Sequence, residues 1–330
     1  MRLWRKLYRG YVGVLLLASV YAFAQPTIPK DTTYTIWSTH KKLKKDYPHI
    51  QVVDLVKDSR IIRQNDVTYT VLTRDANPRE LKADIYYPNK FKGKLPAIII
   101  VHGGGWRSGD KSMHAALAQQ LALAGYFVMC AEYQLSLEAK YPAAVHNLKA
   151  AVRWLRSQAK EFSLDESKIA IIGGSAGGQL ASLIGATNGN KEFEGDDGHA
   201  TFSSNVQAVI DLDGLLDFTD VDNLAVKRND YSADVFWLGG FYDSIPERWK
   251  EASPVTHVTR ATPPFLFINS SQTRFHAGCT EMVEKLQSFG IIAEVVKLTD
   301  APHSYWFFEP WFTPMTEHIV KFLNQTFKEK

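Results

Sequence analysis

Apolar positions along the chain follow two rhythms. Residues 67–74 and 81–87 alternate apolar and polar side chains at period two, with the turn-forming stretch 75–80 between them, which predicts an antiparallel hairpin. Residues 95–101 are apolar without alternation, the pattern of a strand buried on both faces. Beyond them, helices predicted over 113–123, 143–162, 179–186, 279–290 and 313–327 alternate with strands predicted over 126–131, 168–172, 206–212, 264–269 and 292–298. Such alternation after an N-terminal hairpin predicts an α/β fold with one doubly wound, mostly parallel sheet. Residues 217–262 interrupt the rhythm. They hold Phe236, Trp237, Phe241, Tyr242 and Trp249 among acidic and glycine residues, and their place between strands predicts a lid or pocket wall over the carboxyl ends of the sheet.

The N-terminus follows neither rhythm. Arg2, Arg5, Lys6 and Arg9 precede an apolar run over residues 11–24 that ends in Ala22-Phe23-Ala24 before Gln25, the form of an export signal occupying residues 1–24. That run is about 14 residues, short of the roughly 20 needed to span a bilayer, so a cleaved signal and an exported protein without a membrane anchor are expected. Residues 25–63, with the Lys41–Lys45 cluster, read as a linker or an arm laid across a domain at 64–330. A formal net charge of +3 is too weak to argue for nucleic acid, and the isoelectric point near 8.6 does not oppose an acidic carbohydrate. Cys130 and Cys279 both fall in apolar contexts and read as buried thiols rather than a disulfide.

Two glycine-rich turns bring in chemistry. The apolar run 169–172 leads into Gly173-Gly-Ser175-Ala-Gly177 and then a helix-forming stretch, the form of a nucleophile elbow that exposes Ser175 Oγ above a sheet. The amide of Ala176 would then point at a developing oxyanion. Earlier, strand 95–101 runs into His102-Gly-Gly-Gly-Trp106, where Gly104 and Gly105 are expected to add oxyanion donors. A phosphate-binding loop is excluded by the missing lysine–Ser/Thr pair and the absent G-x-G-x-x-G spacing. No metal or cofactor is expected.

Together with Glu132-Tyr-Gln-Leu135, Tyr141-Pro-Ala-Ala144, residues 150–155 and the late Ala301-Pro-His303, these motifs resemble the α/β-hydrolase family, in its hormone-sensitive-lipase-like and acetylxylan or feruloyl esterase-like branches. The resemblance runs from Val67 to the C-terminus and implies carboxylic-ester hydrolysis through an acyl-enzyme. It implies His303 as general base, with His276 as rival, because the order Ser, acid, His then holds. The acid is where the chain departs from the family: the stretch 269–278 holds no carboxylate, and Thr273 stands near the expected position. Asp213, at the end of strand 206–212, is the first choice, then Asp300, then Glu281. Relatives also carry Tyr-Arg and an aspartate where this chain has Tyr133-Gln134 and Asn147, which suggests a neutral hydrogen bond in place of an ion pair. Trp106, Arg107, Arg274, His276 and Trp306 form an expected aromatic and basic rim. Aromatic faces stack on sugars and arginine pairs with carboxylates, so a pectin-type methyl or acetyl ester is the expected substrate. The alternatives are a prolyl-oligopeptidase-type peptidase, against which stands a chain too short to add a propeller, and a general short-chain lipase or esterase; a non-catalytic binding protein is disfavoured by the presence of both Ser175 and His303.

Overall fold

The computed structural model describes residues 31–73 and 78–328; the expected export signal and part of the hairpin turn lie outside them. Its strands in chain order are β1 (Gln51–Val52), β2 (Ile61–Leu72), β3 (Arg79–Pro88), β4 (Leu95–Val101), β5 (Phe127–Ala131), β6 (Leu164–Gly174), β7 (Ala208–Leu212), β8 (Phe265–Asn269), β9 (Ala293–Lys297) and β10 (Phe308–Glu309). The helices are α1 (Ile36–Leu43), α2 (Ala115–Leu123), α3 (Ala143–Ser157), α4 (Ala176–Ala186), α5 (Val221–Leu224), α6 (Ala233–Leu238), α7 (Pro246–Glu251), α8 (Cys279–Ser288) and α9 (Phe312–Lys328).

Eight strands form one sheet in the order β2-β3-β5-β4-β6-β7-β8-β9. The pairs β2–β3 and β3–β5 are antiparallel, and every pairing from β5 through β4 to β9 is parallel. At the centre, β4 explains its own unbroken apolar run. Ala97, Ile99 and Val101 pack into the layer shared with α3, α4 and α8, while Ile98 and Ile100 pack into the layer shared with α2 and α9. Each such aliphatic side chain taken out of water contributes about 1.5–3 kcal/mol, so both layers pull on one strand.

Several element boundaries differ from expectation, two of them for a visible reason. Strand β2 starts at Ile61 because its first six residues form a largely exposed edge, where no alternation is needed. Helix α3 stops at Ser157, whose hydroxyl donates back to the Trp154 carbonyl at 2.7 Å, although Ala159 and Phe162 prolong the apolar period. Of the two readings of the N-terminal stretch, residues 31–53 take the arm form: Thr35 and Ser38 form a reciprocal capping box on α1, and β1 pairs with β10.

Cys130 and Cys279 are both free and buried. Gln134 and Asn147 do face each other, the Gln134 N–H donating to Asn147 Oδ1 at 2.9 Å. The pair is not wholly neutral, however, since Asn147 Nδ2 also donates to the Asp197 carboxylate at 2.8 Å, a group contributed from a distant loop.

Candidate active site

Strand β6 ends at Gly174 and α4 begins at Ala176, leaving Ser175 alone in the turn with φ 57° and ψ −123°. A non-glycine residue in this region is strained, and the surroundings hold it there. The Ser175 N–H donates to the Leu212 carbonyl at 2.8 Å, and the Gln179 N–H donates to the Ser175 carbonyl at 3.0 Å. The flanking glycines are obligatory for a different reason. A Cβ on Gly173 would sit 1.9 Å from the Gly177 carbonyl oxygen, and one on Gly177 would sit 2.2 Å from the Val101 carbonyl oxygen.

His303 lies in the loop after β9, with Nε2 2.9 Å from Ser175 Oγ and Nδ1 2.9 Å from Asp213 Oδ2. With Nδ1–H donated to a carboxylate, Nε2 is left as the acceptor for the serine proton. Asp213 follows the last residue of β7, is only 1% exposed, and accepts the Ser270 N–H at 2.8 Å through its other oxygen. The two other acid candidates sit elsewhere. Glu281 is spent on Lys285 at 3.0 Å one turn along α8, and Asp300 is an exposed turn residue; neither bonds His303. The base itself is held between aromatic rings: Phe275 stacks on it at 3.5 Å and 9°, and Trp306 meets it edge-on at 5.2 Å. A second carboxylate lies two residues back in β7. Asp211 is fully buried, accepts the Ser182 hydroxyl and the Gly214 N–H, each at 2.7 Å, and is pushed up to about 7, first by burial and additionally by the Asp213 charge.

Ser175 opens into a cavity of about 430 Å³, to which Gly105, Trp106, Ala176 and Phe275 also contribute. Gly105 and Ala176 thus share the cavity with the serine, as expected of oxyanion donors, but Gly104 does not line it. Its role is to tighten the loop: φ is 117°, a Cβ there would lie 2.2 Å from the Ser108 carbonyl oxygen and 3.1 Å from the Tyr34 ring, and its own carbonyl accepts the Arg107 and Ser108 N–H groups.

The expected rim is partly redistributed. Trp106 lines the cavity, stacked on Trp237 at 4.7 Å with its indole N–H on Gln179 Oε1 at 2.9 Å. Arg274 lines it too, its guanidinium 4.7 Å over the Phe275 ring. Arg107 is drawn away toward Asp31 at 3.3 Å and the Phe236 ring at 5.1 Å. His276 borders a neighbouring groove instead. Trp306 is 1% exposed and packs so close to the elbow that a Cβ on Gly174 would lie 2.8 Å from it, so it supports His303 rather than meeting a ligand. Unforeseen contributors come from the 217–262 segment, where Asn223, Lys227 and Arg228 line the cavity. Arg228 is already engaged by Asp234 at 2.7 Å and by Asn223, whereas Lys227 and Arg274 have no carboxylate partner among the described residues. Among those residues, too, no group of three or more His, Cys, Asp or Glu side chains could hold a metal ion.

A mostly parallel eight-stranded sheet with a serine elbow after β6, an aspartate after β7 and a histidine after β9 defines an α/β-hydrolase fold with a Ser–His–Asp triad. Residues 83–276 match the BD-FAE family model, and the chain belongs to that family. That match ends before His303 and begins after the arm. Among curated proteins, esterase LipC of Mycobacterium tuberculosis is 29% identical over 245 residues, 71% of this chain and 59% of LipC. Carboxylesterase NlhH of the same species is 33% identical over 124 residues, 37% of each chain. The chain therefore spans little more than half the length of LipC, and 51% of the probable carboxylic ester hydrolase LipM. Among solved structures, a truncated carbohydrate esterase from gut microbiota superposes with a TM-score of 0.71 at 26% identity, covering 82% of this chain and 98% of that one. A butyrate-bound esterase of Thermogutta terrifontis superposes with a TM-score of 0.64 at 26% identity, covering 79% and 93%.

Proposed function

We propose that the protein hydrolyses carboxylic esters through an acyl-enzyme on Ser175. The observation that supports this most is the unbroken relay from Asp213 through His303 to Ser175 at the floor of an open cavity. In this reading Ser175 Oγ attacks the ester carbonyl as His303 Nε2 takes its proton, and Asp213 holds the imidazolium that forms. The tetrahedral oxyanion is received by the Gly105 and Ala176 N–H groups, the second at the positive end of α4. Collapse expels the alkoxide, which takes the proton back from His303, and water then repeats the sequence to release the acid.

The substrate we propose is an ester borne on a carbohydrate, specifically a methyl or acetyl ester of a pectin-type polysaccharide met outside the cell. An aromatic wall at Trp106, two cations without carboxylate partners at Lys227 and Arg274, and the likeness to a carbohydrate esterase support it. Ser175→Ala and His303→Ala should each lower p-nitrophenyl acetate turnover by at least about 10⁴-fold with circular dichroism unchanged. Turnover surviving in either variant would overturn the mechanism. Acetate and methanol released from pectin, set against acetate from a neutral acetylated xylan, test the substrate; release from neither would remove it.

A further inference from the structure

The arm that precedes the family-matched region touches both loops that the proposed chemistry depends on. Within it Asp31 forms a bridge with Ser108, and its carboxylate meets Arg107 at 3.3 Å, so it grips the turn that presents Gly105. Three residues on, the Tyr34 ring lies against Gly104, 3.1 Å from where a Cβ would stand. The hydroxyl of the same side chain reaches Ser304 Oγ at 3.1 Å. Ser304 directly follows His303, is buried, and has φ 74°, a strained conformation for serine that needs outside support. The grip then continues along the base loop: Val53 N–H donates to the Phe307 carbonyl, β1 pairs with β10, and Tyr47 and His49 pack on Trp311.

We infer that the arm is a catalytic clamp, in which Tyr34 is a positioning residue that fixes the oxyanion loop and the His303 loop relative to each other. Ring and hydroxyl divide the work. The ring limits how far Gly104 can move, and the hydroxyl holds the side chain of Ser304, the residue next to the base. Burial pushes the Tyr34 hydroxyl up to about 12, so the bridge to Ser304 keeps its proton across the working range of a histidine base. An error of about 1 Å in such a constellation costs far more rate than it costs stability.

The inference rests on the proposed hydrolase mechanism, and the experiment separates the two. Tyr34→Phe removes the hydroxyl and keeps the ring. It should lower kcat for p-nitrophenyl acetate about fivefold, the equivalent of one hydrogen bond, with KM unchanged and the melting temperature within about 2 °C of wild type. Ser304→Ala should produce a loss of similar size, and adding it to Tyr34→Phe should cost nothing further. Wild-type kcat in Tyr34→Phe, or losses that simply multiply in the double variant, would overturn the clamp. Should Tyr34→Phe not fold, Asp31→Asn, which removes only the charge facing Arg107, must lower kcat at constant KM; an unchanged kcat there overturns it equally. Labelling of Ser175 by a fluorophosphonate reads the same geometry without ester turnover. If wild type labels quickly and Tyr34→Phe slowly while no carboxylic ester is cleaved, the proposed function fails and the clamp stands.

Discussion

Asp213, the first choice from the sequence, bonds His303 from just past the end of β7, one strand nearer the nucleophile than the usual family position. Its carboxylate is inaccessible to water and accepts two hydrogen bonds, from Ser270 N–H and His303 Nδ1–H. Replacing it with asparagine keeps the volume but allows the wrong imidazole tautomer, so Asp213→Asn should lower kcat by on the order of 10³–10⁴-fold. Asp300→Asn and Glu281→Gln should stay within about threefold of wild type, as expected of exposed groups outside the relay. Steady-state kinetics on the three variants decide the matter, and a silent Asp213→Asn would refute the assignment. Ser175 and His303 were legible in the sequence because a tight turn and a strand end leave local residue patterns. Gly104, expected as a donor, stands outside the cavity lining and shapes the loop, because its motif shows only that backbone comes close, not which residue borders the cavity. Phe275, stacked on the base, left no local signal, since that contact joins two loops distant in the chain.

At the scale of elements, β7 and the turn directly after it carry two buried carboxylates, Asp211 and Asp213. Asp213 accepts His303 Nδ1–H and steadies the imidazolium that forms, while burial pushes Asp211 up to about 7 from its ordinary 3.8. A group whose folded pKa lies above its unfolded one binds its proton more tightly when folded. The stability it gives is complete below about pH 4 and is lost as the pH rises through about 7. Asp211→Asn is neutral throughout and can still accept from Gly214 N–H, so its melting temperature should fall less than that of wild type between pH 5 and pH 8. Parallel calorimetric scans would show this, and identical pH slopes would exclude it. The elements were read well from the sequence where both faces are buried, as in β4, and poorly where local chemistry outvoted the apolar period. Ser157 closes α3 early, and the exposed start of β2 shows no alternation to detect.

Over the whole molecule, a net charge of +3 says little, yet the cavity concentrates cations at Lys227 and Arg274. Lys227 comes from the 217–262 segment and Arg274 from the loop after β8, so no local pattern marks them as a pair. With Lys227→Glu and Arg274→Glu combined, kcat/KM on a uronate-borne ester should fall about tenfold more than on a neutral sugar ester. The gap should shrink at high salt, and equal losses on both substrates would argue against an acidic ligand. The arm was legible only as one of two readings, linker or arm laid across the domain, because its short contacts with the base loop have no period of their own. With the acid housed just past β7, the loop after β8 owes the triad little beyond the Ser270 amide and the Phe275 ring. Residues 272–274 are therefore free to be rewritten by drift or by design, so that selectivity can change hands while the chemistry stays as it is.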